Sequence, residues 1–83
     1  MKIYLRYFAS VREEIGLAQE ILETQANDLD ALRVELISRG DAYATALAAD
    51  KAIRMAMNQV VSEGNTRLLA DAEIAFFPPV TGG

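Results

Sequence analysis

From Lys2 to Phe8 the chain alternates, with Ile3, Leu5 and Tyr7 on one side and Lys2, Tyr4, Arg6 and Phe8 on the other. That period, in residues that favour extended backbone, predicts a strand with one buried face. Residues 10–16, charged at Arg12, Glu13 and Glu14 and ended by Gly16, read as a loop or a short helical turn. A second strand is expected at about 19–24, making a hairpin with a wide connection. The period then changes. Leu29, Leu32, Leu36 and Ile37 fall on one helical stripe, with Arg33, Glu35 and Arg39 expected to point outward. Asn27 or Asp28 is placed to cap this helix, and Asp30 lies in the first turn, where negative charge meets the positive end of the dipole. Arg39 suits the other end, and Gly40 the left-handed residue just beyond it.

Asp41 is expected to cap a shorter helix over 42–49, with Tyr43 and Leu47 sharing a face. Its alanines also read as a spacer, but their helix propensity favours the helix. Residues 53–57 form a third strand by pattern, Asn58-Gln59 a turn, Val60-Val61 a short fourth strand and 62–65 a loop. The last strand, Glu73–Phe77, directs Ile74 and Phe76 to one face and Ala75 and Phe77 to the other.

One long apolar stripe among several strands can be buried only against one face of a sheet, an α+β layer pair. The opposite face is left open to water. Pairing neighbouring strands would put Phe8, Phe77, Tyr4 and one of Val60 and Val61 there, and an apolar patch of that kind marks a partner site. The opposing expectation is that a loop covers Phe8 or Phe77.

With 83 residues, 52% of them apolar and 24% charged, the chain is expected to be one ordered domain with room for one core. It contains no cysteine and no histidine, so no disulfide and no thiolate or imidazole metal site is expected, and the commonest general base is absent. A net charge of −4 disfavours nucleic acid and anionic membranes, and suits docking on a basic protein surface. No apolar run approaches the length of a membrane span, and Met1 leads straight into a strand pattern. A soluble, cytoplasmic protein is expected.

The chemistry is expected at the end of the chain. After Phe76-Phe77, Pro78 and Pro79 cannot continue a sheet ladder, and Val80, Thr81, Gly82 and Gly83 follow. The prolines favour an extended start, while two residues without Cβ can enter a narrow channel. Extended, the six residues after Phe77 reach roughly 20 Å. The domain is therefore divided into a globule, 1–77, and a flexible tail, 78–83.

The ending Phe76-Phe77-Pro78-Pro79-Val80-Thr81-Gly82-Gly83 resembles that of the small, sulfur-carrying subunits of molybdopterin synthase, a ubiquitin-like β-grasp family. The opening Tyr7-Phe8-Ala9-Ser10-Val11-Arg12-Glu13, the segment Ala31-Leu32-Arg33 and the Asn58-Gln59 turn resemble the same family. Asp71-Ala72 departs from it, standing where a Gly-Asp turn is usual.

The resemblance implies a carrier without catalytic side chains or a bound cofactor. A ubiquitin-activating-like adenylyltransferase would use ATP to adenylate Gly83, and sulfur would replace the adenylate to give a thiocarboxylate. The tail would enter the large subunit, in a heterotetramer, and donate sulfur to cyclic pyranopterin monophosphate. The resemblance also implies that Phe8, Val61 and Phe77 anchor both protein interfaces. Arg12 would pair with a charge on a partner, or stand as a solvated loop charge. Three other readings stay open: a modifier conjugated to lysines through Gly83, a plain interaction module, and a carrier for thiamine thiazole synthesis.

Overall fold

The computed structural model describes residues 1–79. Its strands are β1 (Lys2–Tyr7), β2 (Gln19–Glu23), β3 (Arg54–Met57), β4 (Val60–Ser62) and β5 (Glu73–Phe77), and its helices are α1 (Ala9–Ile15), α2 (Leu29–Ile37) and α3 (Asp41–Leu47). The strands form one mixed sheet in the order β2-β1-β5-β3-β4. β1 and β5 run parallel at its centre and the other pairs are antiparallel.

The alternation in β1 is realised as read. Ile3, Leu5 and Tyr7 are buried with Ile74 and Phe76 of β5, and Leu29, Leu32 and Leu36 of α2 close over them. Asp28 caps α2, its Oδ1 accepting from the Ala31 amide at 2.8 Å. Asn58 and Gln59 both take positive φ, 51° and 71°, the turn geometry that matches strand twist in a two-residue hairpin. Asn58 also pins the start of β5: its amide donates to the Glu73 carbonyl and its Oδ1 accepts from the Glu73 amide. Asp71 takes φ 63°, so the turn before β5 keeps a left-handed residue, which aspartate tolerates better than most.

Several expectations are corrected. Residues 9–15 form a full helix, because Val11 and Ile15 turn one side into the core and Gly16, at φ 87°, closes the end by donating to the Arg12 carbonyl. Ile53 lies outside β3, and Thr24 outside β2. Gly40 is not the residue closing α2: that helix stops at Ile37, where the Ser38 hydroxyl turns back onto the Glu35 carbonyl at 2.6 Å. Gly40 instead stands at the N-cap of α3, with Asp41 in the first turn, and its carbonyl accepts from the Ala44 amide.

Arg33 does not point to solvent. It donates through Nε to the Leu47 carbonyl at 2.8 Å and through Nη2 to those of Ala48 and Lys51 at 2.6 and 3.0 Å. A cation thus satisfies carbonyls at and beyond the C-terminal end of α3, where the dipole also favours it. Glu35 is likewise half-buried, accepting from the Thr24 hydroxyl at 2.6 Å.

One polar cluster fastens α3 to the sheet. Glu20 of β2 accepts from the Tyr7 and Tyr43 hydroxyls, each at 2.7 Å, through one carboxylate oxygen and from Arg39 at 3.0 Å through the other. The Arg39 guanidinium lies 4.8 Å from the Tyr43 ring centre, a cation–π contact. Burial alone pushes the Glu20 carboxyl up, but the Tyr43, Tyr7 and Arg39 donors together hold it below the usual carboxylate range. Burial first, and then the neighbouring carboxylate, raises both tyrosine hydroxyls, Tyr7 far above the ordinary range.

Candidate functional site

The face of the sheet away from α2 is open. Strand register sets Arg6 beside Ala75, Ala75 beside Ala56 and Ala56 beside Val61. The two alanines are small side chains in the middle of that row, so they form the floor of a groove of about 680 Å³. Phe8, Val61 and Phe77 line it together with Arg6, Glu73 and Gln59, and Pro78 and Pro79 stand at the root of the tail.

The three apolar residues singled out in the sequence are therefore brought to one depression. Val61, and not Val60, is the valine that lines it. Phe8 is 43% exposed and Val61 54%, while Phe77 is half-buried; no loop among the described residues covers Phe8. Tyr4 lines a second depression with Gln19 and Ile21, joined to the first through Arg6 and Glu73.

Local backbone geometry helps to aim Phe8. It leaves β1 at the N-cap of α1 in an extended conformation, with its amide bonded to the Phe76 carbonyl at 3.2 Å, and Ala9 follows at φ 51°. That is a left-handed conformation for a residue with a Cβ, costing roughly 1–2 kcal/mol. Arg12 is exposed on α1 and is not among the groove-lining residues. Val80, Thr81, Gly82 and Gly83, expected to form the tail and its reactive end, lie outside the described residues.

Arg6, Ala56, Ala75, Gln59 and Glu73 also line the groove and were not singled out in the sequence. Arg6 lies 3.7 Å from the Glu73 carboxylate, with its guanidinium 5.5 Å from the Phe8 ring centre. The alternation of β1 and β5 places Arg6 and Ala75 on the open face. Finding them side by side needs the β1–β5 pairing as well.

A protein-family model described as the ThiS family matches residues 5–83. The chain belongs to the ThiS family. The molybdopterin synthase sulfur carrier subunit of Haemophilus influenzae is 40% identical to it over 93% of this chain and 94% of its own. The resemblance read from the ending thus agrees with a likeness that runs through nearly the whole chain.

Two solved structures place the ThiS-family fold. SAMP1 from Haloferax volcanii superposes with a TM-score of 0.81 at 20% identity, covering each chain in full, which speaks to the fold alone. A chain in the protein–protein complex of subunits 1 and 2 of molybdopterin-converting factor from Helicobacter pylori has a TM-score of 0.67 at 26% identity, again with full coverage of both. The architecture is a ubiquitin-like β-grasp of class α+β, with α2 as the main helix on one face. No described helix is long and apolar enough to cross a membrane.

Proposed function

We propose that the chain is the sulfur carrier subunit of a molybdopterin synthase, working in the cytoplasm. The observation that carries this reading is the convergence of Phe8, Val61 and Phe77 on one exposed groove at the root of the tail. Its support in sequence is the 40% identity to the Haemophilus influenzae carrier subunit. A groove there lets a larger partner grip the globule while the following residues extend into that partner's active site.

The carboxylate of Gly83 is a poor acyl electrophile. An adenylyltransferase of the ubiquitin-activating kind joins it to the AMP portion of ATP, releasing pyrophosphate. A sulfur nucleophile then displaces AMP and leaves a thiocarboxylate, a good nucleophile near neutral pH. In the large subunit that sulfur attacks a carbon of cyclic pyranopterin monophosphate, where the new carbon–sulfur bond replaces a carbon–oxygen bond and the oxygen departs. Hydrolysis of the acyl–sulfur bond then leaves the sulfur on the substrate and returns the Gly83 carboxylate. Two such transfers build the dithiolene. Tethering makes each transfer effectively intramolecular, which contributes rate through proximity.

On this reading acid–base groups come from the partner, while Phe8, Val61, Phe77 and Arg12 meet the partner surfaces. The test is reconstitution with the large subunit, the activating enzyme, ATP, a sulfur donor and cyclic pyranopterin monophosphate. Molybdopterin is expected with the full chain and none after deletion of Gly82-Gly83, although the truncated chain still binds the large subunit. Product from the truncated chain would contradict the reading.

A further inference from the structure

The groove is charged differently from the molecule that carries it. The whole chain has a net charge of −4, yet the charged side chains lining the groove are Arg6 and Glu73, and Arg54 stands just outside it, beside the lining residues Phe77 and Val61. Arg54 pairs in register with Phe77, next to buried Met55, which places it on the open face. Arg6 is already engaged by Glu73 and by the Phe8 ring. Arg54 is exposed and makes no ion pair or side-chain hydrogen bond among the described residues. On its far side it borders a polar depression lined also by Asp30, Arg33 and Glu63.

We infer that Arg54, with Arg6 in support, is a specificity determinant that receives a carboxylate of the large subunit, next to an apolar side chain of that subunit seated on the Ala56–Ala75 floor. The inference rests on the carrier reading and adds to it the chemistry of the partner's contact surface. A partner segment of one apolar residue flanked by an acidic one fits both features. The floor offers space where no side chain longer than alanine stands, and of the three charged side chains at and beside the groove two are guanidinium groups, of which only Arg6 is paired with Glu73. A guanidinium meets a carboxylate through two parallel hydrogen bonds, which fixes orientation as well as charge. Since the remaining surface is predominantly acidic, an acidic contact segment is repelled elsewhere and drawn to this face, so the pair also sets the docking orientation. At the rim, the sign of the partner is therefore opposite to the one that net charge alone suggests.

The test is binding of the purified large subunit from the same organism to the full chain and to Arg54→Glu, Arg54→Lys and Arg67→Glu variants. Titrations are run at about 0.05 M and about 0.5 M salt, spanning weak and strong screening. The Arg54→Glu variant is expected to bind at least tenfold more weakly at low salt, with the gap narrowing at high salt. The lysine variant should lose a few-fold, and Arg67→Glu, exposed beyond the groove, should bind like the parent. Unchanged thermal unfolding of each variant ties the effect to the surface. Parent-like or tighter binding by Arg54→Glu at low salt overturns the inference while leaving the carrier reading intact. A parent chain that neither binds the large subunit nor acquires a thiocarboxylate overturns both.

Discussion

Replacing Glu20 by glutamine keeps the shape of the side chain and removes its charge, so it isolates what the carboxylate does for the fold. One carboxylate oxygen accepts from the hydroxyls of Tyr7 and Tyr43 and the other from Arg39. An amide cannot serve all three. With its oxygen toward the tyrosines, its NH2 meets the guanidinium, donor against donor. With the oxygen toward Arg39, two hydroxyls are left to find acceptors, and Tyr7 is only 1% exposed.

A buried group left unpaired costs about 1–3 kcal/mol, and the Arg39 contact, at a partly exposed side chain, adds little. Glu20→Gln is therefore expected to destabilise by about 2–3 kcal/mol, out of roughly 4–12 kcal/mol for a domain of this size. The assay is urea unfolding followed by circular dichroism across pH. Because the folded-state pKa of Glu20 lies below its unfolded value, the stabilisation is fully present above about pH 4.3. It is lost as pH falls through the folded pKa, so the parent and variant curves converge in acid. The tyrosine hydroxyls are raised in the fold, so their contribution holds below about pH 10 and is lost as pH rises beyond it. A variant within about 0.5 kcal/mol of the parent near neutral pH, with a parallel pH profile, would show that the Glu20 charge does not stabilise the fold.

Three further substitutions follow from the structure. Arg33→Ala removes the side-chain donor to the carbonyls of Leu47, Ala48 and Lys51, of which Ala48 keeps the Lys51 amide, and should lower stability by about 1.5–3 kcal/mol in the same urea assay. Ala9→Gly relieves a positive φ and should raise the urea midpoint by an amount equivalent to at most about 1 kcal/mol; a lowered midpoint would show that the strain is not there. Ala75→Trp fills the groove floor from the exposed face. It should leave the unfolding midpoint nearly unchanged while weakening large-subunit binding at least tenfold, about 1.4 kcal/mol, measured by calorimetry.

What the sequence discloses and what it conceals divide along physical lines. The period of β1 and the stripe of α2 are local, and Ile3, Leu5, Tyr7, Leu29, Leu32 and Leu36 are all buried as their spacing requires. The open face follows from there being one apolar stripe to cover one side of a sheet, which is why the sequence pattern alone places Phe8 and Phe77 together. The pairing of Ala75 with Ala56 could not, because it depends on β5 lying between β1 and β3.

Charge alone assigns Arg33 and Glu35 to solvent, because charged side chains are usually exposed. Their partners, the end of α3 and Thr24, are distant in sequence and visible only in the fold. The Glu20 cluster draws on β1, β2, α3 and the residues between α2 and α3, so no window of sequence contains its logic. Position alone assigns Gly40 to the end of α2, because glycine is frequent just past helix ends. Ser38 had already closed that helix, and Gly40 opens the next.

Sulfur loading of the Gly83 acyl group is read from the intact mass of the chain. After incubation with the activating enzyme, ATP and a sulfur donor, the chain should become heavier by the difference between one sulfur and one oxygen atom, with the change confined to the C-terminal peptide. A chain that keeps the mass of the plain carboxylate, under conditions in which a known carrier is converted, is not a sulfur carrier.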